Sequence, residues 1–235
     1  MRRIVFFLKV FERESFMEDF LDGKIYMNRL SYFIKSEEAE EDNRADHREA
    51  LCSIWQPNEV TIDINGYKLT ELVGPIESRY ENSKYLHAFC LFTGAISEQN
   101  FLSPHGNIPE INEGLRVPES CGKLGEYYVV IHNTEKLIER VVQAVKKEGY
   151  GKQAQAGMVD YYDPETFSGD FGCRFALYKT QNFSHQKEYR FVIDTKTIGD
   201  DPLIINIGDI RDIASMSETW DVNVEIKSDS SIKIV

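Results

Sequence analysis

The run Gln186-Lys187-Glu188-Tyr189-Arg190 places an amide, a carboxylate and a guanidinium at the head of a segment that continues as Phe191-Val192-Ile193. That continuation is aromatic and β-branched, so the whole reads as a strand entering a core. Alternation along a strand groups Gln186, Glu188 and Arg190 on one face, and Lys187, Tyr189, Phe191 and Ile193 on the other. The plain consequence is an ion pair between Glu188 and Arg190 on a wet sheet face. The functional consequence is a site in which the three polar groups act together. A second candidate is Arg44-x-Asp46-x-x-Glu49, which either supplies charge to a pocket or is a solvated charged loop. A third is Lys9 with Tyr26 and Asn28, polar groups on two otherwise apolar segments. They line a cleft, or else Lys9 snorkels and Tyr26 sits at a core edge.

Other site chemistries lack their signatures. The chain has no Gly-rich dinucleotide loop, no phosphate-binding loop, no His-Glu-x-x-His and no nucleophile elbow. His47, His87, His105, His132 and His185 are dispersed, and so are Cys52, Cys90, Cys121 and Cys173. No metal site is expected from such spacing. His87 falls in a strand and reads as a structural residue. Cys90 and Cys173 lie in apolar runs and read as buried thiols.

The elements that must position these residues follow from periodicity. Residues 4–10 read as a buried strand. Ser15-Phe16-Met17-Glu18 has the form of a capping box, with Ser15 as N-cap of a helix that Gly23 stops. Residues 24–28 form the next strand. Residues 35–50 are acidic and nearly free of large apolar side chains, which predicts an exposed loop. Asn65-Gly66 between alternating runs predicts a hairpin over residues 59–73. Strands are expected at 85–93, 126–132, 158–162, 173–178 and 187–195. Leu137, Ile138, Val141, Val142 and Val145 share one face of a helix over 134–147 that ends at Gly149. Residues 94–125 read as a long irregular excursion. The tail, 200–235, reads as a β extension: a strand at 203–207, a short helix near 209–216 and a hairpin over 221–235.

Strand outweighs helix and the order is not a β-α alternation. The expectation is one α+β domain over residues 1–235, with a mainly mixed or antiparallel sheet and two or three helices. The chain has 235 residues, 42% hydrophobic and 28% charged, and a net charge of −12. That acidity argues against general nucleic-acid binding, which needs clustered Lys and Arg to meet phosphates. It suits a solvated surface or a basic partner. The five-residue apolar stretch near the start is too short for a secretion signal, and no run is long enough to span a bilayer. Dispersed cysteines fit a reducing compartment, so the expected location is cytoplasmic and not membrane-bound.

Several of these segments, in order, resemble an uncharacterised family of bacterial and phage proteins. The residues that carry the likeness are Gly23-Lys24-Ile25-Tyr26-Met27-Asn28, then Arg44, Asp46 and Glu49, then Ala88-Phe89-Cys90-Leu91-Phe92, Lys179, and Gln186-Lys187-Glu188-Tyr189-Arg190. More distantly, a Gln-x-Glu step at a strand head is similar to the catalytic motif of ADP-ribosyltransferases. That resemblance implies an ADP-ribosyltransferase-like fold and NAD as the cofactor. Glu188 would be the catalytic carboxylate, holding a ribose hydroxyl and stabilising the oxocarbenium-like transition state, and Gln186 would orient the acceptor. Tyr26 would stack on nicotinamide and Lys9 would meet the phosphates. Asn28, Arg44 and Arg190 would complete the nucleotide contacts. Lys9 stands where those transferases usually carry Arg or His. The rival expectation is a non-enzymatic acidic protein that binds a host or defence protein through the run around Glu37, Glu38, Glu40 and Glu41. A third is binding or cleavage of another nucleotide ligand.

Overall fold

The computed structural model describes residues 2–35, 46–69, 71–102, 107–217, 224–226 and 232–234. The chain is α+β, and its sheets are almost wholly antiparallel. The longest strand, β7 (His87–Ser97), is the hub. Near its C-terminal end it pairs with β1 (Arg2–Phe11), Leu8 opposite Phe92. Near its N-terminal end it pairs with β2 (Lys24–Arg29), Asn28 opposite Ala88. Its other edge is taken by β13 (Glu188–Ile193), from Glu188 opposite Phe92 to Ile193 opposite His87. The sheet therefore forks. One branch continues from β1 through β8 (Tyr127–Ile131) to β15 (Ala214–Ser217), and another from β2 to β14 (Leu203–Asn206). Beyond β13 lies β9 (Ala154–Met158).

Alternation gives this sheet two apolar faces. One packs under α1 (Glu14–Leu21) and α6 (Thr134–Lys147), and joins Phe7, Ile25, Met27, Phe89, Leu91, Tyr189, Phe191 and Ile193 to Phe20, Leu137 and Val141. Each such side chain, fully buried, contributes about 1.5–3 kcal/mol. The other face carries two separate clusters. Phe6, Leu8 and Phe92 lie under α4 (Ile108–Leu115) and α5 (Glu119–Gly122). Ala88 and Val192 lie with Leu30, Leu86, Ala176 and Leu177, where α2 (Leu30–Lys35) begins. Along β13 the junction between these two clusters falls at Glu188 and Arg190.

Smaller sheets flank this body. β3 (Ser53–Trp55) sits between β6 (Ile76–Ser78) and β11 (Gly169–Asp170). β10 (Asp160–Tyr162) pairs in parallel with β12 (Tyr178–Thr180). The Asn65-Gly66 hairpin forms as expected, from β4 (Ile62–Ile64) and β5 (Tyr67–Leu69), with φ of 53° and 85° at the two turn residues. The terminal hairpin pairs β16 (Val224–Ile226) with β17 (Ile232–Ile234), and its turn lies outside the described residues.

Five expectations need correction. Six α-helices stand among the described residues against the expected two or three, because several are too short to show a periodic apolar face, and four local readings differ. Ser15 is not the N-cap: Arg13 is, without a side-chain bond, and Ser15 lies in the first turn. The described residues of the 94–125 segment are largely regular, not an irregular excursion. β7 continues to Ser97 because β1 pairs with it as far as Arg2 opposite Ser97, and the Phe6 ring covers Gly94 so closely that a Cβ there would meet it at 2.0 Å. After it come α3 (Glu98–Leu102), α4 and α5, whose apolar residues are few but fall at i, i+4, as in Ile111 and Leu115. Residues 172–177 form a 3₁₀-helix, not a strand, and Cys173 on it is exposed. Residues 209–216 are not helical. Ile210 is tied to Leu21 O and Ile213 O to His132 N, which leads the chain into β15. Gly23 stops α1 as expected, at φ 90°, and a Cβ there would lie 2.0 Å from Gly208 O. Among the described residues no helix is long and apolar enough to cross a membrane.

Candidate functional site

The chain enters β13 through a 3₁₀-helix, Gln181–Gln186, and a single left-handed residue, Lys187, at φ 40°. A lysine in that conformation is strained, and tertiary contacts hold it. Its Nζ donates to the carbonyls of Glu113 (2.8 Å), Arg116 (3.2 Å) and Gly114 (3.4 Å), at the end of α4. On either side of it, Gln186 and Glu188 converge on one ammonium. Lys179 Nζ, from β12, donates to Gln186 Oε1 at 2.8 Å and to Glu188 Oε1 at 3.0 Å.

The second oxygen of Glu188 accepts from Arg190 Nη2 at 2.8 Å. Arg190, only 1% exposed, also grips Glu49 in a fork, Nη1 to Oε1 at 2.6 Å and Nη2 to Oε2 at 3.3 Å. Nη1 further donates to Ala176 O at 2.9 Å. Glu49 lies in the turn that starts at Asp46, and its N–H donates to Asp46 O at 2.9 Å. The Asp46 carboxylate is itself buried, and accepts from Arg48 N at 2.9 Å, Thr180 Oγ1 at 3.3 Å and Thr180 N at 3.4 Å. Segments 134 and 141 residues apart thus meet in one hydrogen-bonded set.

Burial disfavours charge, so this set persists because Lys179, Glu188, Arg190 and Glu49 face one another as ion pairs and Asp46 is held by three hydrogen-bond donors. Burial pushes the Glu188 carboxyl up, but Lys179 and Arg190 outweigh it and hold the group down at about 2. Burial likewise opposes the Arg190 charge, and Glu49 and Glu188 raise its pKa above the ordinary value. Tyr161 Oη accepts the Glu188 N–H at 2.9 Å, and burial raises that phenol's pKa. Burial, with Glu188 next, pushes the nearby Cys90 thiol up to about 11, so it is not a ready nucleophile.

Glu188, Gln186 and Arg190 therefore do converge, with Asp46, Glu49 and Lys179. The face they share is dry, not wet, and Asp46 and Glu49 are buried instead of solvated. The remaining predicted site residues are elsewhere. Lys9 stands on the opposite face of the sheet, its Nζ 4.9 Å from the Phe89 ring centroid and donating to Cys90 O at 3.0 Å. Phe7 and Phe89 belong to the core under α1 and α6, and Lys9 shares their side by alternation. Tyr26 and Asn28 point to the same side as Ala88 and Val192. Tyr26 is 52% exposed, and among the described residues neither it nor Asn28 hydrogen-bonds to the charge cluster. Arg44 lies outside the described residues. His87 is buried as expected, Nε2 3.2 Å from Asp201 O.

One side of the set opens on a cleft of about 130 Å³, lined by Asp46, His47, Arg48, Pro164, Thr180, Asn182 and Phe183. Sequence reasoning missed Thr180, Asn182 and Phe183 here. The signal available was the polar Lys179-Thr180 step between an apolar run and a polar link. Lys179 Nζ stands 4.4 Å from the Phe183 ring centroid, so it joins cluster to cleft. Arg48 Nε donates to Glu77 at 2.7 Å. Tyr162, opposite Thr180 in the parallel ladder, has a buried hydroxyl with no hydrogen-bond partner among the described residues, and burial and the Asp46 charge raise its pKa. Among the described residues no three His, Cys, Asp or Glu are grouped to hold a metal ion. The arrangement combines fixed charge, hydrogen-bonding groups and one aromatic ring at a small opening.

Comparison with models of known families, with curated proteins and with solved structures finds no match to this chain.

Proposed function

We propose that this is an ADP-ribosyltransferase-like protein that binds NAD or a related nucleotide, with one ring of the ligand in the cleft beside Phe183. The observation that carries this reading is the double role of Asp46, which belongs to the buried set through Thr180 and also lines the cleft. A ligand there meets groups that the charge cluster holds rigid, which lowers the ordering cost of binding. Sites for drug-sized ligands measure about 300–1,000 Å³. At about 130 Å³ the cleft suits a single heteroaromatic ring, with the rest of the nucleotide outside it.

In this reading Glu188 keeps its role with a constraint. A carboxylate has about four lone-pair positions, and Lys179 and Arg190 occupy one on each oxygen. Its remaining positions can take a ribose hydroxyl once the ligand displaces the side chains that bury Glu188, which does not itself line the cleft, and its cations hold it ionised. The reaction breaks the C1′–N bond of nicotinamide riboside, the bonding pair leaves with neutral nicotinamide, and an acceptor that loses a proton takes C1′. The fixed carboxylate stabilises the positive charge that develops on the ribose. The contacts expected of Lys9 are not part of this reading, since it lies across the sheet.

Nicotinamide release from NAD, with calorimetric binding of NAD and ADP-ribose, tests the proposal. Turnover should vanish in Glu188→Gln, and binding should weaken about tenfold in Phe183→Ala, whose ring is only half-buried. A thermal melt of each variant separates loss of site from loss of fold. Neither release nor binding by the well-folded native chain would overturn the reading.

A further inference from the structure

The β4–β5 hairpin has a side that its own structure leaves uncovered. Ile62 pairs with Leu69 and Ile64 with Tyr67, so these four apolar side chains share one face. The third pair, Asp63 with Lys68, takes the other face. This is the pattern of a half-buried hairpin. Yet Ile64 is 58% exposed and Tyr67 72%, and among the described residues none of the four is buried. The fold is nevertheless specified: Asn65 and Gly66 adopt the left-handed turn, and Gly66 N donates to Asp63 Oδ1 at 2.7 Å. A two-stranded hairpin is marginal alone, and its stability normally comes from packing its apolar face.

Charge decides what covers it. Between residues 59 and 81 the chain exposes five carboxylates, Glu59, Asp63, Glu71, Glu77 and Glu81, of which Glu77 is paired with Arg48, against two cations, Lys68 and Arg79. The whole chain carries −12. A second copy would bring the same acidic surround and be repelled, and so would an anionic lipid surface. A surface of opposite sign would be steered in and held.

We propose that this hairpin face is the docking surface for a partner protein that presents an apolar strip bordered by basic side chains. The inference is independent of the nucleotide reading and needs no ligand in the cleft. It places the contact on the hairpin and not on the acidic run 37–41, which lies outside the described residues.

The test uses the full chain and three labelled amphipathic helical peptides with one shared leucine face and a lysine, glutamine or glutamate polar face. Fluorescence anisotropy should rank lysine above glutamine above glutamate, and the lysine peptide's affinity should fall as salt rises. The double variant Ile64→Asp with Tyr67→Ser should lose at least about tenfold in affinity for the lysine peptide. The control Glu135→Lys with Glu139→Lys, on the exposed side of α6, turns two carboxylates away from the hairpin into ammonium groups and should leave it nearly unchanged. Loss in the control as large as in the hairpin variant would overturn the proposal by showing general acidity at work. Equal binding of all three peptides, self-association in sedimentation that the hairpin variant abolishes, or cosedimentation with anionic vesicles would each overturn it too.

Discussion

Arg190 and Arg211 each hold more than one carboxylate, and they teach opposite lessons. Arg190 is buried between Glu49 and Glu188, at the junction of two apolar clusters. Arg211 sits in water, bonded to Glu18 at 2.5 Å, Asp209 at 2.6 Å and Asp22 at 2.8 Å. The distances are alike. Solvent makes the difference, because an exposed pair can exchange its partner for water and a buried one cannot. The inner set therefore governs whether the core forms, and the outer set trims the surface.

Breaking the inner set should have the largest effect. Glu49→Gln leaves part of the Arg190 charge unanswered, and should cost about 3–5 kcal/mol in urea unfolding at neutral pH. Next comes acid. The Glu188 carboxyl is held at about 2 in the folded chain, below its ordinary 4.5. The unfolded chain thus takes up the proton first, so this stabilisation is complete above the unfolded value and is lost as pH falls from about 5 towards 2. The amount at stake is about 3 kcal/mol as an upper figure. Unfolding free energies between pH 7 and pH 3 should show that slope, and Glu188→Gln should flatten it. If the slope persists in the variant, the inner set does not depend on Glu188 as described.

A gentler change separates charge from shape. Arg190→Lys retains the cation but not the planar fork to Glu49, and should cost about 1.5–3 kcal/mol by the same measurement. The smallest effect belongs to the outer set. Arg211→Gln should leave the urea midpoint within error at physiological salt, with any difference appearing only at low ionic strength. A large loss there would erase the contrast between the two arginines.

Much of this was legible in the residue order. The α6 helix is readable because Leu137, Val141 and Val145 recur on one face and Gly149 ends it; the Asn133 cap, accepting from Lys136 N, adds to this in the structure. The hairpin is readable because Asn-Gly favours left-handed turns. The shared side of Gln186, Glu188 and Arg190 follows from alternation. Ser15 misleads because a capping motif is a local preference, and β1 delivers the chain into the helix two residues earlier, at Arg13. The 94–125 helices are hidden because their apolar residues are few, and only the sheet beneath them gives those positions a use. Lys9 misleads because its strand is apolar on both sides, so the sequence does not say which side meets Glu188.

By itself, then, the order of residues determined the periodicities, the turns and the pairing of charge with charge along β13. Those depend on neighbours a few positions apart. The tertiary structure alone decided that the charges are dry, that Glu49 and Lys179 answer them, that Asp46 joins through Thr180, and that Lys9 and Tyr26 stand apart. Such outcomes depend on which distant segments exclude water from which face, and no local preference encodes that.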